Sequence, residues 1–275
     1  MNDFLASPNV QTALLASAIV AGFSAAIGYF VVLRGLSFAG HAVTDIGLTG
    51  GAGALLAGFD PLVGLIVFSV GAALAVGALG ERARKRDLAT GLTLALALGI
   101  GALFLHLRTR YANAQSALLF GSVFDTDPAL LRVVAIVGAA GLAALTAMYR
   151  PLLFASVAPE AARTAGVAVR TLGFAFLVVM AVAVAEAAQV VGVLVSTALL
   201  VGPAATAIAL VRAPLPGIAL AIAIGIGEAW LAIALAYGSF GWSHGGRSWP
   251  VSFFVATLAL GIFIAARGFR AARES

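Results

Sequence analysis

From Thr12 to Leu33 the chain carries no charged residue, and a second uncharged run extends from Val190 to Val211. Each is about the length that a helix needs to cross a hydrocarbon core roughly 30 Å thick. Runs of this kind leave few folds open. In lipid every backbone N–H and C=O must pair internally, so a spanning segment is either a helix or part of a closed barrel. Barrel strands alternate apolar and polar residues, and these runs do not. Composition agrees: 62% of the chain is hydrophobic and 10% charged, with mean hydropathy +1.10, against roughly 25% charged in soluble domains. The expected fold is an all-α polytopic membrane protein, a single integral-membrane domain over residues 1–275 with about 12–266 embedded. A length of 275 residues accommodates about eight to ten spanning helices, and the pattern reads best as about nine.

In order, the expected helices are 12–33, 37–57, 61–79, 88–107, 129–148, 171–187, 190–211, 215–237 and 251–266. The charged cluster Glu81 to Asp87 separates the third from the fourth and reads as a solvated loop. Ala114 to Val123 reads as a short helix or partial re-entry. A polar break is expected from Tyr149 to Arg170. Inside it, Ala158-Pro159-Glu160 suits the start of a short helix, because proline fits the first turn and an acid suits the positive end of the dipole. Gly166 suits its close.

Lysine and arginine gather on the cytoplasmic side of membrane proteins. Placing the Glu81–Asp87 cluster inside also puts Arg34, Arg150, Arg163, Arg170, Arg212, Arg267, Arg270 and Arg273 inside, and leaves Arg108, Arg110, Arg132 and Arg247 outside. The N-terminus is then outside and the C-terminus cytoplasmic. On this reading the net charge of +5 sets orientation; no nucleic-acid partner is expected. The chain has no cysteine, which excludes disulfides and thiolate metal sites. MNDFLASPNV lacks a basic n-region, so no cleavable signal peptide is expected.

Ionisable residues inside spanning segments are costly and are functional candidates by default. His41 and Asp45 stand four apart in LRGLSFAGHAVTDIGLTGGAGALLAG, hence on one helical face. Imidazole with carboxylate suits zinc, manganese or iron(II). Two ligands do not complete a cage, but two copies of the chain about a two-fold axis would supply four. Thr44, between them, offers a hydroxyl to the ion or bonds back to its own helix. Glu186, with Gln189, reads either as facing a vestibule or as a solvated helix end. Glu228 lies mid-helix and must face protein or water. His106 and His244 are placed near the outer surface, and Trp230, Trp242 and Trp249 read as interfacial anchors. A nucleotide-binding P-loop needs a Gly-Lys pair; the lone lysine is Lys85, so an ATPase would be another chain, and this chain is not expected to be an enzyme.

Four stretches together carry a resemblance. LRGLSFAGHAVTDIGLTG is similar to an LRR-x-S-L-x-GDALSH-x-x-LPG signature; SALLFGSVF, Ser116 to Phe124, to an LLFGS segment; PLLFASVAPEAARTAGV, Pro151 to Val167, to a D-P-E-x-A-x-x-x-G segment; and QVVGVLVSTALLVGPAATA, Gln189 to Ala207, to VG-x-L-L-V-x-A-L-L-x-x-PAA-x-A. The chain thus resembles the membrane permeases of zinc/manganese-type ATP-binding-cassette (ABC) importers over nearly its whole length. The resemblance implies a type II importer-like permease in a bacterial cytoplasmic membrane. It also implies a second copy of itself, two copies of a cytosolic ATPase and an extracytoplasmic metal-binding protein as partners. Residues 150–170, with Pro159, Glu160, Ala162 and Gly166, would be the ATPase-coupling segment. Two departures stand out. The signature has its acid first and histidine four later, whereas here His41 precedes Asp45. Ala158 stands where aspartate is usual.

The expected function is inward passage of Zn2+ or Mn2+, bound transiently by His41 and Asp45, with no permanently bound cofactor. Thr44, Glu186 and Glu228 are the further candidates along the path. Three rivals stand beside this reading, the first of the same architecture. A chelate or cobalamin-like cargo needs no bare-metal ligands, which His41 and Asp45 argue against. A proton-coupled transporter would leave the Pro159–Gly166 segment without a role. A non-conducting scaffold would not need buried ionisable residues.

Overall fold

The computed structural model describes residues 7–79, 87–107, 118–121, 123–241 and 249–274. Among them the long helices are α1 (Pro8–Leu33), α2 (Ser37–Ala57), α3 (Pro61–Leu79), α4 (Asp87–Leu107), α5 (Pro128–Val157), α7 (Val169–Val191), α8 (Val193–Leu210), α9 (Pro214–Ser239) and α10 (Val251–Glu274). A short α6 (Pro159–Thr164) follows α5, and a 3-10 turn, Val123–Asp125, precedes it. Each of the nine expected spans overlaps a helix, the seventh crossing a break at Gly192. Seven of them, α1, α3, α5 and α7 to α10, are long and apolar enough to cross a membrane, which makes the chain a multi-pass membrane protein. In α4 an apolar stretch covers Leu94–Phe104 among the described residues. In α2, glycine, threonine, His41 and Asp45 dilute the apolar content.

Several boundaries differ from the sequence reading; α1 starts at Pro8 rather than Thr12, and α10 continues past Ala266 to Glu274. The break expected to open at Tyr149 opens at Ala158 instead: α5 continues through Pro151 to Val157. Leu152 and Ala155 are buried, and burying them offsets the hydrogen bond that an interior proline removes. α7 runs past Ala187 to Val191, and α8 starts at Val193. Gly192 separates them at φ +100°, a conformation that side chains disfavour. Gly121, at φ +83°, docks its backbone onto Val191 and Gly192 at that break, so a side chain at either glycine would collide with the other strand of chain. Glu81–Arg86, Arg108, Arg110, Ala114–Ala117, Ser122, Trp242, His244 and Arg247 lie outside the described residues.

α1 is the axis of the bundle. It packs against α9, α8, α5 and α7, and its residues from Val20 to Val31 are continuously buried. α9 runs antiparallel to it: Tyr29 meets Gly217, Gly22 meets Ile222 and Ile226, and Trp230 Nε1 donates to the Leu14 carbonyl at 3.0 Å. Where lipid is as apolar as the side chains, helices associate through close van der Waals packing, which small residues permit. Here Gly28 lets α1 lie directly on α8, since a Cβ there would land on the carbonyl oxygen of Leu200. α2 and α3 approach similarly, through Gly47, Gly50 and Gly64. At the end of α1, Arg34 reaches over the Phe176 ring of α7, 5.2 Å from its centre, a cation–π contact that ties the α1–α2 joint to the bundle.

Gly28→Ala is therefore expected to force α1 off α8. Overpacking of this kind costs roughly 1–3 kcal/mol, and it should appear as a clear fall in the thermal unfolding midpoint of the purified protein. Gly261→Ala, where an added Cβ meets nothing within 4 Å, should leave the midpoint level or raised.

Candidate functional site

α2 positions the two expected ligands. His41 and Asp45 are the fifth and ninth residues of a 21-residue helix, and their spacing brings His41 Nε2 to 3.4 Å from Asp45 Oδ2. Two ligands at about 2.1 Å from one ion lie roughly 3.0–3.4 Å apart, from right-angled to tetrahedral coordination. The pair already has the spread of two ligands on one metal. The His41 side chain is 52% exposed and that of Asp45 11%, so the imidazole forms the mouth of the site and the carboxylate its floor.

The third contributor comes from α8. Thr197 Oγ1 lies 3.3 Å from His41 Nδ1 and 3.4 Å from Thr44 Oγ1. Its place follows from another close approach. Gly40 faces Leu200, to which an added Cβ would come within 3.0 Å, and Leu200 is one turn from Thr197. Sequence reasoning did not single out Thr197. Ser196, Thr197 and Thr206 all interrupt the apolar run, and nothing in the pattern shows which faces α2. Thr44 does bond back to its own helix, donating to the Gly40 carbonyl at 2.9 Å, and still remains in reach of Thr197.

The other candidates are elsewhere. Glu186 is neither a solvated helix end nor at the edge of its helix. It is 1% exposed, and its carboxylate lies against Gly138 of α5, where a Cβ would sit 3.4 Å from Oε1. The sequence reading ended its helix too early. Its neighbours Ala185 and Ala188 pack with Leu48 of α2, so Glu186 points to the other side of α7, away from His41. Glu228 is likewise 1% exposed, inside α9, as an ionisable residue in an apolar helix must be. Neither carboxylate has a hydrogen-bond partner among the described residues. No group of three or more His, Cys, Asp or Glu converges among the described residues, so none of them completes a metal cage with the His41–Asp45 pair.

The second candidate region is α6. Ala162 is buried beneath it, and Gly166, at φ +82°, closes it. Val167 N–H donates to Ala162 O at 2.9 Å and Gly166 N–H to Arg163 O at 3.0 Å, the two bonds of a Schellman cap. Glu160 pairs with Arg163 at 3.1 Å on the open face, a contact worth little by itself. Phe154 and Val157, just before α6, are exposed. The result is a short capped helix, packed on α5 and α7, with apolar and charged side chains at its surface.

Known proteins resemble this chain in sequence and in fold. The chain is 28% identical to a manganese transport system membrane protein, MntC, of Listeria innocua, over 83% of this chain and 81% of the relative. It is 29% identical to a probable iron transport system membrane protein of Haemophilus influenzae, over 86% and 89%. Its fold superposes on PsaBC of Streptococcus pneumoniae, solved in complex with a Fab, with a TM-score of 0.84 at 24% identity, over 96% of this chain and 93% of that one. Residues 6–265 match the ABC 3 transport family, and the chain belongs to that family of transporter membrane proteins.

Proposed function

We propose that this chain is the permease subunit of an ABC importer that passes Mn2+ across a bacterial cytoplasmic membrane. The observation that carries the reading is the His41–Asp45 pair, spaced as two ligands of one ion at an exposed face of α2. Family membership supports transport, and relatives named for manganese support the cargo. The expectation of zinc rests on the ligand chemistry and on the sequence resemblance to zinc/manganese-type importers. The ion itself is the cargo, and the chain holds no permanent cofactor.

The exposed imidazole bears on assembly. Phe38 and Leu194, flanking it on α2 and α8, are 60% and 59% exposed. A polar ring on an otherwise apolar membrane face is costly in lipid. A second copy across a two-fold axis would cover Phe38 and Leu194 and bring two histidines and two aspartates together. The site completed this way would bind weakly enough to release its ion, as conduction requires. α2 and α4 complete nine crossings in this reading, with the Arg34 end and the C-terminus in the cytoplasm.

ATP hydrolysis takes place on partner subunits. The capped helix at Pro159, Glu160, Ala162 and Gly166 is where each ATPase would press, supported by its buried Ala162 anchor and by exposed Phe154 and Val157. Motion there passes to α5 and α7, on which α6 packs.

Cellular manganese, zinc and iron, measured by elemental mass spectrometry in metal-limited medium, test the cargo. Deletion should lower manganese. His41→Ala and Asp45→Ala should each cut uptake by at least about tenfold at normal membrane abundance. Normal manganese in both variants would remove the site. An unchanged metal content on deletion would remove the cargo. For coupling, Val157→Glu with Glu160→Lys should reduce co-purification of the ATPase by roughly tenfold, the loss of a central interface contact. Undiminished co-purification would put the coupling surface elsewhere.

A further inference from the structure

The hydroxyls around His41 have too few hydrogens to be arranged in more than one way if all their contacts are bonds. Thr44 has a single hydroxyl hydrogen, and it is committed to the Gly40 carbonyl at 2.9 Å. In the 3.4 Å contact between the two threonines, Thr44 is then the acceptor and Thr197 the donor. That uses the one hydrogen Thr197 has. In its 3.3 Å contact with His41, Thr197 can only accept, so Nδ1 of the imidazole carries the hydrogen. A neutral ring with its hydrogen on Nδ1 presents a bare lone pair at Nε2. That is the nitrogen facing Asp45 Oδ2 at 3.4 Å. With Nε2 unprotonated, the two acceptors are complementary to a cation between them; with Nε2 protonated, the same contact is a His41–Asp45 ion pair that the metal displaces.

We propose that Thr197 is a positioning residue that selects Nε2 of His41 as the metal-facing nitrogen. The inference rests on the reading of His41 and Asp45 as the cargo site and extends it to a residue on another helix. Metal-binding histidines generally hold their second nitrogen in a hydrogen bond that fixes ring orientation and tautomer. Here the bond is supplied by α8, while both ligands come from α2. Any shift of α8 against α2 breaks the chain from His41 through Thr197 and Thr44 to the Gly40 carbonyl. The ring is then free to turn away from Asp45. Loading and release of the ion are thereby linked to the packing of two helices, through one hydroxyl.

The test uses the complete transporter. Thr197→Val keeps the shape and removes the hydroxyl, while Thr197→Ser keeps the hydroxyl. Manganese uptake, normalised to membrane abundance, is measured for both beside His41→Ala and Asp45→Ala. The chain has three histidines, so with His106→Gln and His244→Gln, and with this chain alone labelled before assembly with unlabelled partner subunits, His41 is the sole source of imidazole signals in 15N-histidine NMR of the metal-free transporter in lipid. The expected result is an uptake loss of about tenfold in Thr197→Val, near-normal uptake in Thr197→Ser, and an Nδ1–H signal that is lost in Thr197→Val and kept in Thr197→Ser. If Thr197→Val does not accumulate, Thr197→Ala takes its place. Normal uptake in Thr197→Val, with His41→Ala and Asp45→Ala inactive, overturns the role of Thr197 and leaves the site standing. Equal losses in the valine and serine variants with an unchanged histidine signal also overturn it, showing a packing role only. Normal uptake in His41→Ala and Asp45→Ala overturns the site reading itself.

Discussion

The bundle depends on how closely α8 can lie against its neighbours. Gly28 of α1 places backbone directly on the Leu200 carbonyl, and Gly40 of α2 meets the Leu200 side chain. In a membrane no hydrophobic effect draws helices together, so such contacts decide which helices pair and at what distance. Leu200 is the shared point. With α8 held there from both sides, Thr197, one turn away, is brought to His41. The polar cluster is thus a consequence of glycine-mediated packing rather than a separate device.

The same packing separates the buried carboxylates from the cluster. α7 turns Ala185 and Ala188 toward α2 and α3 and Glu186 toward α5, where Gly138 leaves room for it. Glu228 is enclosed in α9. Intramembrane carboxylates invite assignment to a transport path, but being buried does not put a residue on the path. His41 is the contrasting case: a half-exposed side chain on a face flanked by exposed Phe38 and Leu194.

α6 shows how a short element is made rigid. Six residues are too few for a stable helix by themselves. Pro159 starts it, Gly166 caps it, and Ala162 anchors it on the body of the bundle. That rigidity suits a segment that must transmit a displacement instead of absorbing it.

Composition and uninterrupted apolar runs by themselves determined that this is a helical membrane protein, because lipid allows so few backbone solutions. The helix positions were legible too, and so was the His41–Asp45 pair, since a four-residue spacing lies within one helix and needs no tertiary information. The signals for α6, Pro159 and Gly166, are equally local. The end of α5 was not legible. Arg150 and Pro151 resemble the start of a break, and the burial of Leu152 and Ala155 keeps the helix intact. Nor were the surroundings of Glu186 or the identity of Thr197. α7 and α8 are apolar nearly all round, so no periodicity marks which face meets which neighbour. That choice was made by the tertiary structure, through the few glycines that allow backbones to touch.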